Sequence, residues 1–113
     1  MQLVTLVTMR STFPREAAMK PEQSVTNKAS LAPYRDSISR FIRSTMILKN
    51  KRYEDLASGL EQRGIVLTSD NLRSKVSKGA FAADLLMAIF EVLEVEEEAL
   101  LKLKKIREEE KQR

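Results

Sequence analysis

The side chains that could do chemistry in this sequence are concentrated in residues 71–81, which read NLRSKVSKGAF. This segment contains three cations, two hydroxyls and one amide. Lysine and arginine bind phosphate oxygens, whereas asparagine, arginine and serine can hydrogen-bond to the exposed edges of DNA bases. The residue types therefore favour recognition of a polyanion over the making or breaking of covalent bonds.

The spacing within this segment predicts a helix with two different faces. Leu72 and Val76 lie four residues apart and define the buried side. Ser74 then points directly away from the core, with Arg73 and Lys75 on the two shoulders of the helix. The outer face lacks bulky apolar groups, as close approach to a DNA major groove about 12 Å wide requires. An ordinary solvated surface helix is the alternative interpretation of the same pattern.

Composition argues against catalysis. The sequence contains no cysteine and no histidine, so disulfides, thiolate metal sites and the commonest general base are excluded. No set of carboxylates has the spacing of a catalytic pair. We therefore predict no enzyme, no metal site and no cofactor, and we identify no small-molecule ligand. No stretch approaches the ~20 apolar residues of a membrane helix.

Charge is distributed unevenly along the 113 residues, whose net charge is +4. Residues 35–78 contain ten cations and five anions, whereas residues 79–113 contain six cations and nine anions. A basic middle segment followed by an acidic end indicates a surface of which one part meets a polyanion. A mixed, solvated surface is equally compatible with charge alone.

The elements that must position these residues are predicted to be helices. Residues 1–31 predict a flexible leader, because they include Pro14 and Pro21 and no helical or strand period runs through residues 10–31. Pro33 suits the first turn of the helix that follows. Residues 32–95 form the predicted domain, and residues 96–113 a charged C-terminal helix that is a candidate segment for dimerisation or partner binding. The helices are expected at about 34–49, 53–63, 69–78, 81–95 and 96–113, with residues 65–67 as a buried linker.

Three residues with special backbone preferences mark the ends of these helices. Asn50 and Gly64 are expected to end helices one and two in the left-handed conformation, and Gly79 to close helix three. Thr68 or Ser69 can cap the start of helix three. In the first helix, the stripe expected to face the core begins at Tyr34. The last helix has a narrow apolar stripe of Leu100, Leu103 and Ile106 along one side. The fold class is therefore all-α with five helices.

The start of helix two adds a second cationic group, formed by Lys49, Lys51, Arg52 and Tyr53. Exposed amides and the helix dipole favour a phosphate at such a position. A short helix with a polar outer face follows after a connection, which is the helix-turn-helix arrangement. The alternative is that these residues only keep a loop soluble.

Residues 53–95, YEDLASGLEQRGIVLTSDNLRSKVSKGAFAADLLMAIFEVLEV, resemble the λ-repressor and Cro-like helix-turn-helix proteins. They are most similar to an uncharacterised bacterial branch of that group, a domain of unknown function with the pattern Y-x-E-L-A, G-(V/I) and N-L-R-x-K-(I/V)-x-R-G-x-F-(S/A)-A. Twelve residues match that pattern: Tyr53, Leu56, Ala57, Gly64, Asn71, Leu72, Arg73, Lys75, Val76, Gly79, Phe81 and Ala83. The chain departs from compact members at Glu61, where glycine is usual, and its connection is about three residues longer.

This resemblance implies a compact five-helix DNA-binding fold and a role in transcriptional regulation. We expect a cytoplasmic bacterial or phage regulator that reads double-stranded DNA through residues 69–78. The residues expected to face bases are Asn71, Arg73, Ser74 and Lys75. Those expected to hold phosphates are Lys51, Arg52, Tyr53, Ser77 and Lys78. A homodimer is compatible with this architecture, because such proteins often bind two half-sites.

A protein-interaction or antitoxin-like module is the alternative function. It would use the same helical fold without specific DNA binding and would expose apolar surface on the last two helices. An RNA-binding role is less favoured because aromatic residues, which stack on bases, make up only 5% of the sequence.

Overall fold

The computed structural model describes residues 21–112, in which α-helix is the only regular secondary structure. The described helices are α1 (Pro21–Leu48), α2 (Tyr53–Glu61), α3 (Ser69–Lys78), α4 (Ala83–Val92) and α5 (Ala99–Lys111). The prediction of an all-α fold with five helices is therefore confirmed. None of these helices is both long and apolar enough to cross a membrane. The compact unit described below is Ala32–Arg113.

The first helix begins earlier than the sequence predicts. It begins at Pro21 and not near residue 34, so residues 21–31 belong to α1. The prediction took Pro33 as a helix start, yet Pro33 lies inside α1. Good helix formers around it, such as Lys28, Ala29 and Ala32, support helix without an apolar stripe. The rest of the predicted leader lies outside the described residues.

Each helix supplies apolar side chains to one core, and α2 packs against both α3 and α4. The buried apolar residues are Phe41, Ile42, Met46, Leu56, Leu60, Leu72, Val76, Ile89, Phe90, Leu93, Val95 and Ala99. Phe41 and Phe90 meet edge to face with ring centroids 5.6 Å apart, a favourable aromatic geometry. The core therefore joins α1 to α4, and it also joins α2 to both α3 and α4.

One predicted inward position is wrong. Tyr34, expected to face the core, is 54% exposed. On α5 the buried residue is Ala99, and Leu103 and Ile106 pack against the core. A helix buries the arc that its neighbours cover, and in α5 that arc includes Leu103 and Ile106 of the apolar stripe but leaves Leu100 80% exposed.

The connection between α2 and α3 is only partly buried. Ile65 and Leu67 pack against the core, whereas Val66 is 81% exposed, which corrects the expectation of a buried linker. The segment is not helical, and successive side chains of extended backbone point to opposite sides. Its middle residue therefore faces away from the two that pack.

Three helix ends share one hydrogen-bonding arrangement, the Schellman motif. Its left-handed residue is Asn50 (φ 55) after α1, Gly64 (φ 82) after α2 and Glu94 (φ 59) after α4. After α2, for example, the Ile65 N–H donates to the Leu60 carbonyl at 2.9 Å and the Gly64 N–H donates to Glu61 at 2.9 Å. The predicted left-handed ends at Asn50 and Gly64 are confirmed.

Glu94 is the exception among these ends, because a side chain with a Cβ disfavours the left-handed conformation. We expect Glu94→Gly to raise the free energy of unfolding by about 1 kcal/mol, measured by urea denaturation. Glu97→Gly is the matched control, since Glu97 lies in the next turn of the same acidic segment and has no positive φ. Equal effects of the two substitutions would contradict the explanation.

Ionic and aromatic contacts hold the end of α5 against α1. The Arg107 guanidinium lies 4.4 Å from the centre of the Tyr34 ring. Glu110 is 3.6 Å from Arg40 and 3.7 Å from Arg107, and its side chain is only 17% exposed. The charged C-terminal helix α5 therefore packs against α1 through these contacts.

Candidate functional site

The third helix presents two contrasting faces. Leu72 and Val76 are 0% exposed, so the inward direction expected from their spacing is confirmed. Asn71, Arg73 and Ser74 are exposed, as are Ser77 and Lys78, whereas Lys75 is half-buried. The outer face of α3, from residue 70 to residue 78, thus consists of small polar and charged side chains.

Local hydrogen bonds fix both ends of α3. The Asn71 N–H donates to Thr68 Oγ1 at 3.0 Å, so Thr68 is the N-cap. Gly79 has φ 67, and its N–H donates to the Lys75 and Val76 carbonyls at 2.9 and 3.1 Å. These two caps bound a helix of 10 residues, with the limits expected from the sequence.

One arginine joins α3 to the start of α2. The Arg73 guanidinium lies 5.1 Å from the centre of the Tyr53 ring, within the range of a cation–π contact. Its Nη1 also donates to Asp70 Oδ1 at 2.8 Å. Arg73 therefore leans toward α2 along one shoulder of α3.

The start of α2 has no side-chain cap of its own. Arg52 occupies the N-cap position, and a guanidinium has no acceptor with which to cap backbone amides. The Arg52 N–H itself donates to Asp55 Oδ2 at 2.9 Å. Cations and amide donors thus lie together where the chain enters α2, next to the carboxylates of Glu54 and Asp55 in its first turn.

A surface concavity of about 400 Å³ lies between these elements. Its cations are Arg43 from α1, Lys51 and Arg52 from the entry to α2, and Arg73 from α3. Tyr53, Met46 and Ile47 supply apolar surface, and Glu54 is the acidic residue among its lining. We call this feature the cationic concavity.

The predicted site residues fall into two groups. Four of them line the cationic concavity: Lys51, Arg52, Tyr53 and Arg73. The other five lie along α3 and do not line it: Asn71, Ser74, Lys75, Ser77 and Lys78. The start of α2 and one shoulder of α3 therefore meet, while the outer face of α3 is a separate surface beside them.

Sequence reasoning missed Arg43. It lies four residues before Ile47, which is 79% exposed, so the two share the solvent side of α1 near its end. A helical wheel of α1 could have shown this pairing. It could not have shown that this side of α1 faces the entry to α2. Within residues 21–112, no cluster of three or more acidic side chains could hold a metal ion.

Comparison with known families gives one match. The family model of a domain of unknown function (DUF6471) matches residues 34–97, from the middle of α1 to the turn before α5. It indicates no helix-turn-helix or Cro-like family, so that part of the resemblance stays a prediction. Searches of curated proteins and of solved structures found no match.

Proposed function

The chain belongs to the DUF6471 family, and we propose that it binds double-stranded DNA as a helix-turn-helix protein. In this proposal α3 enters the major groove while the entry to α2 contacts the phosphate backbone. The role would be that of a bacterial or phage transcriptional regulator, acting in the cytoplasm by binding and not by catalysis.

The observation that carries the proposal is the outer face of α3. The apolar residues of α3, Leu72 and Val76, are completely buried. The groups presented to solvent are therefore small polar residues and cations, together with one carboxylate, Asp70. Ser74 lies at the centre of this face with Asn71 beside it, and both are exposed. Side chains of this size allow the backbone to approach base edges closely, and an amide can bind adenine through two hydrogen bonds.

The neighbouring helix supports the same assignment. Arg73 stacks against Tyr53, so the side of α3 and the start of α2 form one continuous cationic surface. Proteins that read DNA combine base contacts from one helix with phosphate contacts from the elements beside it. The connection between the two helices, residues 62–68, is longer than in compact helix-turn-helix proteins, and the Arg73–Tyr53 contact spans it.

We assign Asn71, Ser74 and Lys75 to base edges or the phosphates next to them. Ser77 and Lys78, near the end of α3, are assigned to the backbone of the flanking strand. Two copies of the chain would occupy the two halves of a palindromic site, as is common for this architecture.

The test is titration of labelled duplex DNA at several salt concentrations, followed by fluorescence anisotropy. Each phosphate that a cation neutralises lowers the slope of log affinity against log salt by about 0.9. We expect steep salt dependence between about 50 and 200 mM salt, and strong loss of affinity in the Arg73→Ala/Lys75→Ala double variant. An affinity that ignores salt, or survives the double substitution, would refute the proposal.

Selection of bound fragments from random DNA would then define the site. Recovery of one palindromic sequence would support both sequence-specific reading and binding by a homodimer. Recovery of unrelated fragments with equal affinity would limit the function to non-specific DNA binding.

A protein-interaction module is the second candidate, favoured by exposed apolar side chains on the last two helices. Met87 on α4 is 65% exposed, and Leu100 and Leu101 on α5 are 80% and 73% exposed. Exposed apolar groups of this kind often mark protein contacts when they form a continuous patch. Under this alternative, mass measurement at two concentrations and a partner pull-down would reveal a stable complex in the absence of DNA. The double substitution Leu100→Ser/Leu101→Ser would disrupt that complex.

A further inference from the structure

We infer that the cationic concavity binds a phosphate of the DNA backbone and that Arg73 belongs to this phosphate clamp and not to the base-reading set. The inference rests on the proposed DNA-binding function. It adds Arg43 of α1 to the interface and changes the role that the sequence predicts for Arg73.

Charge is the first argument for the clamp. Four cations from three parts of the fold surround one concavity. Among its lining residues, only Glu54 has a negative charge. Clefts lined by charges of one sign concentrate the field and attract the opposite charge. Arg43 and Arg73 come from different helices, so a single phosphate group could bridge α1 and α3 here.

The position of Arg73 is the second argument. Its guanidinium is held between the Tyr53 ring at 5.1 Å and Asp70 Oδ1 at 2.8 Å. These contacts direct it toward the entry of α2, whereas Ser74 marks the direction of the groove-facing surface. A base-reading arginine would need to leave both contacts, and a phosphate-binding arginine would keep the one with Tyr53.

A phosphate oxygen could replace the Asp70 carboxylate at the Arg73 guanidinium. The Asp70 side chain is 87% exposed and that of Arg73 is 55% exposed, and exposed ion pairs are weak. The carboxylate therefore occupies one position on the guanidinium fork that a phosphate oxygen could take, while the fork keeps further donors. Ile47, 79% exposed on the concavity wall, offers apolar surface to the adjoining sugar.

The experiment compares arginine and α3 variants on two duplexes, the selected site and a scrambled sequence. We expect Arg43→Ala and Arg73→Ala each to weaken binding roughly tenfold on both duplexes, leaving their affinity ratio unchanged. Each should also reduce the steepness of the salt dependence by about one phosphate contact. Asn71→Ala and Ser74→Ala should instead reduce the ratio between the two duplexes.

Control variants separate the clamp from general charge and from folding. Lys105→Ala removes an exposed cation from α5 and should leave the salt dependence unchanged. Tyr53→Ala removes the ring under Arg73 and should behave like Arg73→Ala. Urea denaturation of each variant identifies any that lose affinity by unfolding.

The outcomes distinguish the clamp from the function on which it rests. If the unmodified chain binds DNA but Arg43→Ala leaves the salt dependence intact, or Arg73→Ala changes the affinity ratio, the clamp is wrong and DNA binding stands. If no duplex binds in a salt-dependent manner, both proposals fail. The NMR signals of the arginine Nε–H groups report binding at the concavity. If they show saturable binding of inorganic phosphate but no binding of a duplex, the assignment to the DNA backbone is overturned.

Discussion

Replacing Gly79 with alanine is expected to lower the free energy of unfolding by about 3–5 kcal/mol. Two causes act together. Gly79 has φ 67, in the left-handed region that a Cβ disfavours. A Cβ at this position would also collide with the backbone carbonyl of Arg35 in α1. Because backbone cannot rotate away as a side chain can, α1 and the end of α3 would have to separate.

Gly64→Ala is the matched control for this effect. Gly64 also has a positive φ of 82, but nothing lies within 4 Å of the position of an added Cβ. It should therefore show only the conformational cost, about 1–2 kcal/mol. Urea denaturation of both variants measures the difference, and equal losses would show that the approach of α3 to α1 does not matter. A small domain is stable by only about 5–15 kcal/mol, so Gly79→Ala alone could unfold it.

Ser74→Glu is expected to reduce DNA affinity by at least about a hundredfold while leaving the stability of the fold unchanged. Ser74 is exposed and lies opposite Leu72 and Val76 on α3, so the new carboxylate would meet no core residue. In the proposed complex it would face base edges and phosphates, and like charges brought together at an interface cost several kcal/mol. The measurement is fluorescence anisotropy with the selected duplex.

Gln112→Glu provides the control with the same change in net charge. Gln112 is exposed just after α5, so we expect close to full affinity there. A comparable loss in both variants would mean that net charge, and not the face of α3, governs binding. Retention of affinity by Ser74→Glu would remove α3 from the interface.

Features with local causes were predictable from the sequence. The limits of α3 follow from Thr68, whose hydroxyl caps the helix, and from Gly79, whose left-handed conformation ends it. The left-handed ends at Asn50 and Gly64 are equally local, because these residue types tolerate positive φ. Glu94 adopts the same conformation without any such preference, so only the surrounding packing identifies it.

Features that depend on tertiary contacts were not predictable. The start of α1 was misplaced because Pro33 is typical of a first turn and yet lies within a helix here. In the candidate site, a helical wheel was sufficient to predict that Ser74 faces outward. The inclusion of Arg43 required knowledge of which side of α1 faces Tyr53. Arg43 and Arg73 lie far apart in the chain on different helices, so no periodic sequence pattern links them.

The contacts of Arg107 and Glu110 on α5 with Tyr34 and Arg40 on α1 have a consequence for the order of folding. The helices α2, α3 and α4 are neighbours in the chain, and their packing requires only short loops to close. The α1–α5 contacts join segments far apart in sequence, and contacts of this kind form slowly because a long loop must first lose entropy. The central helices can therefore assemble first, and we expect the docking of α5 onto α1 to be a late step that completes the domain.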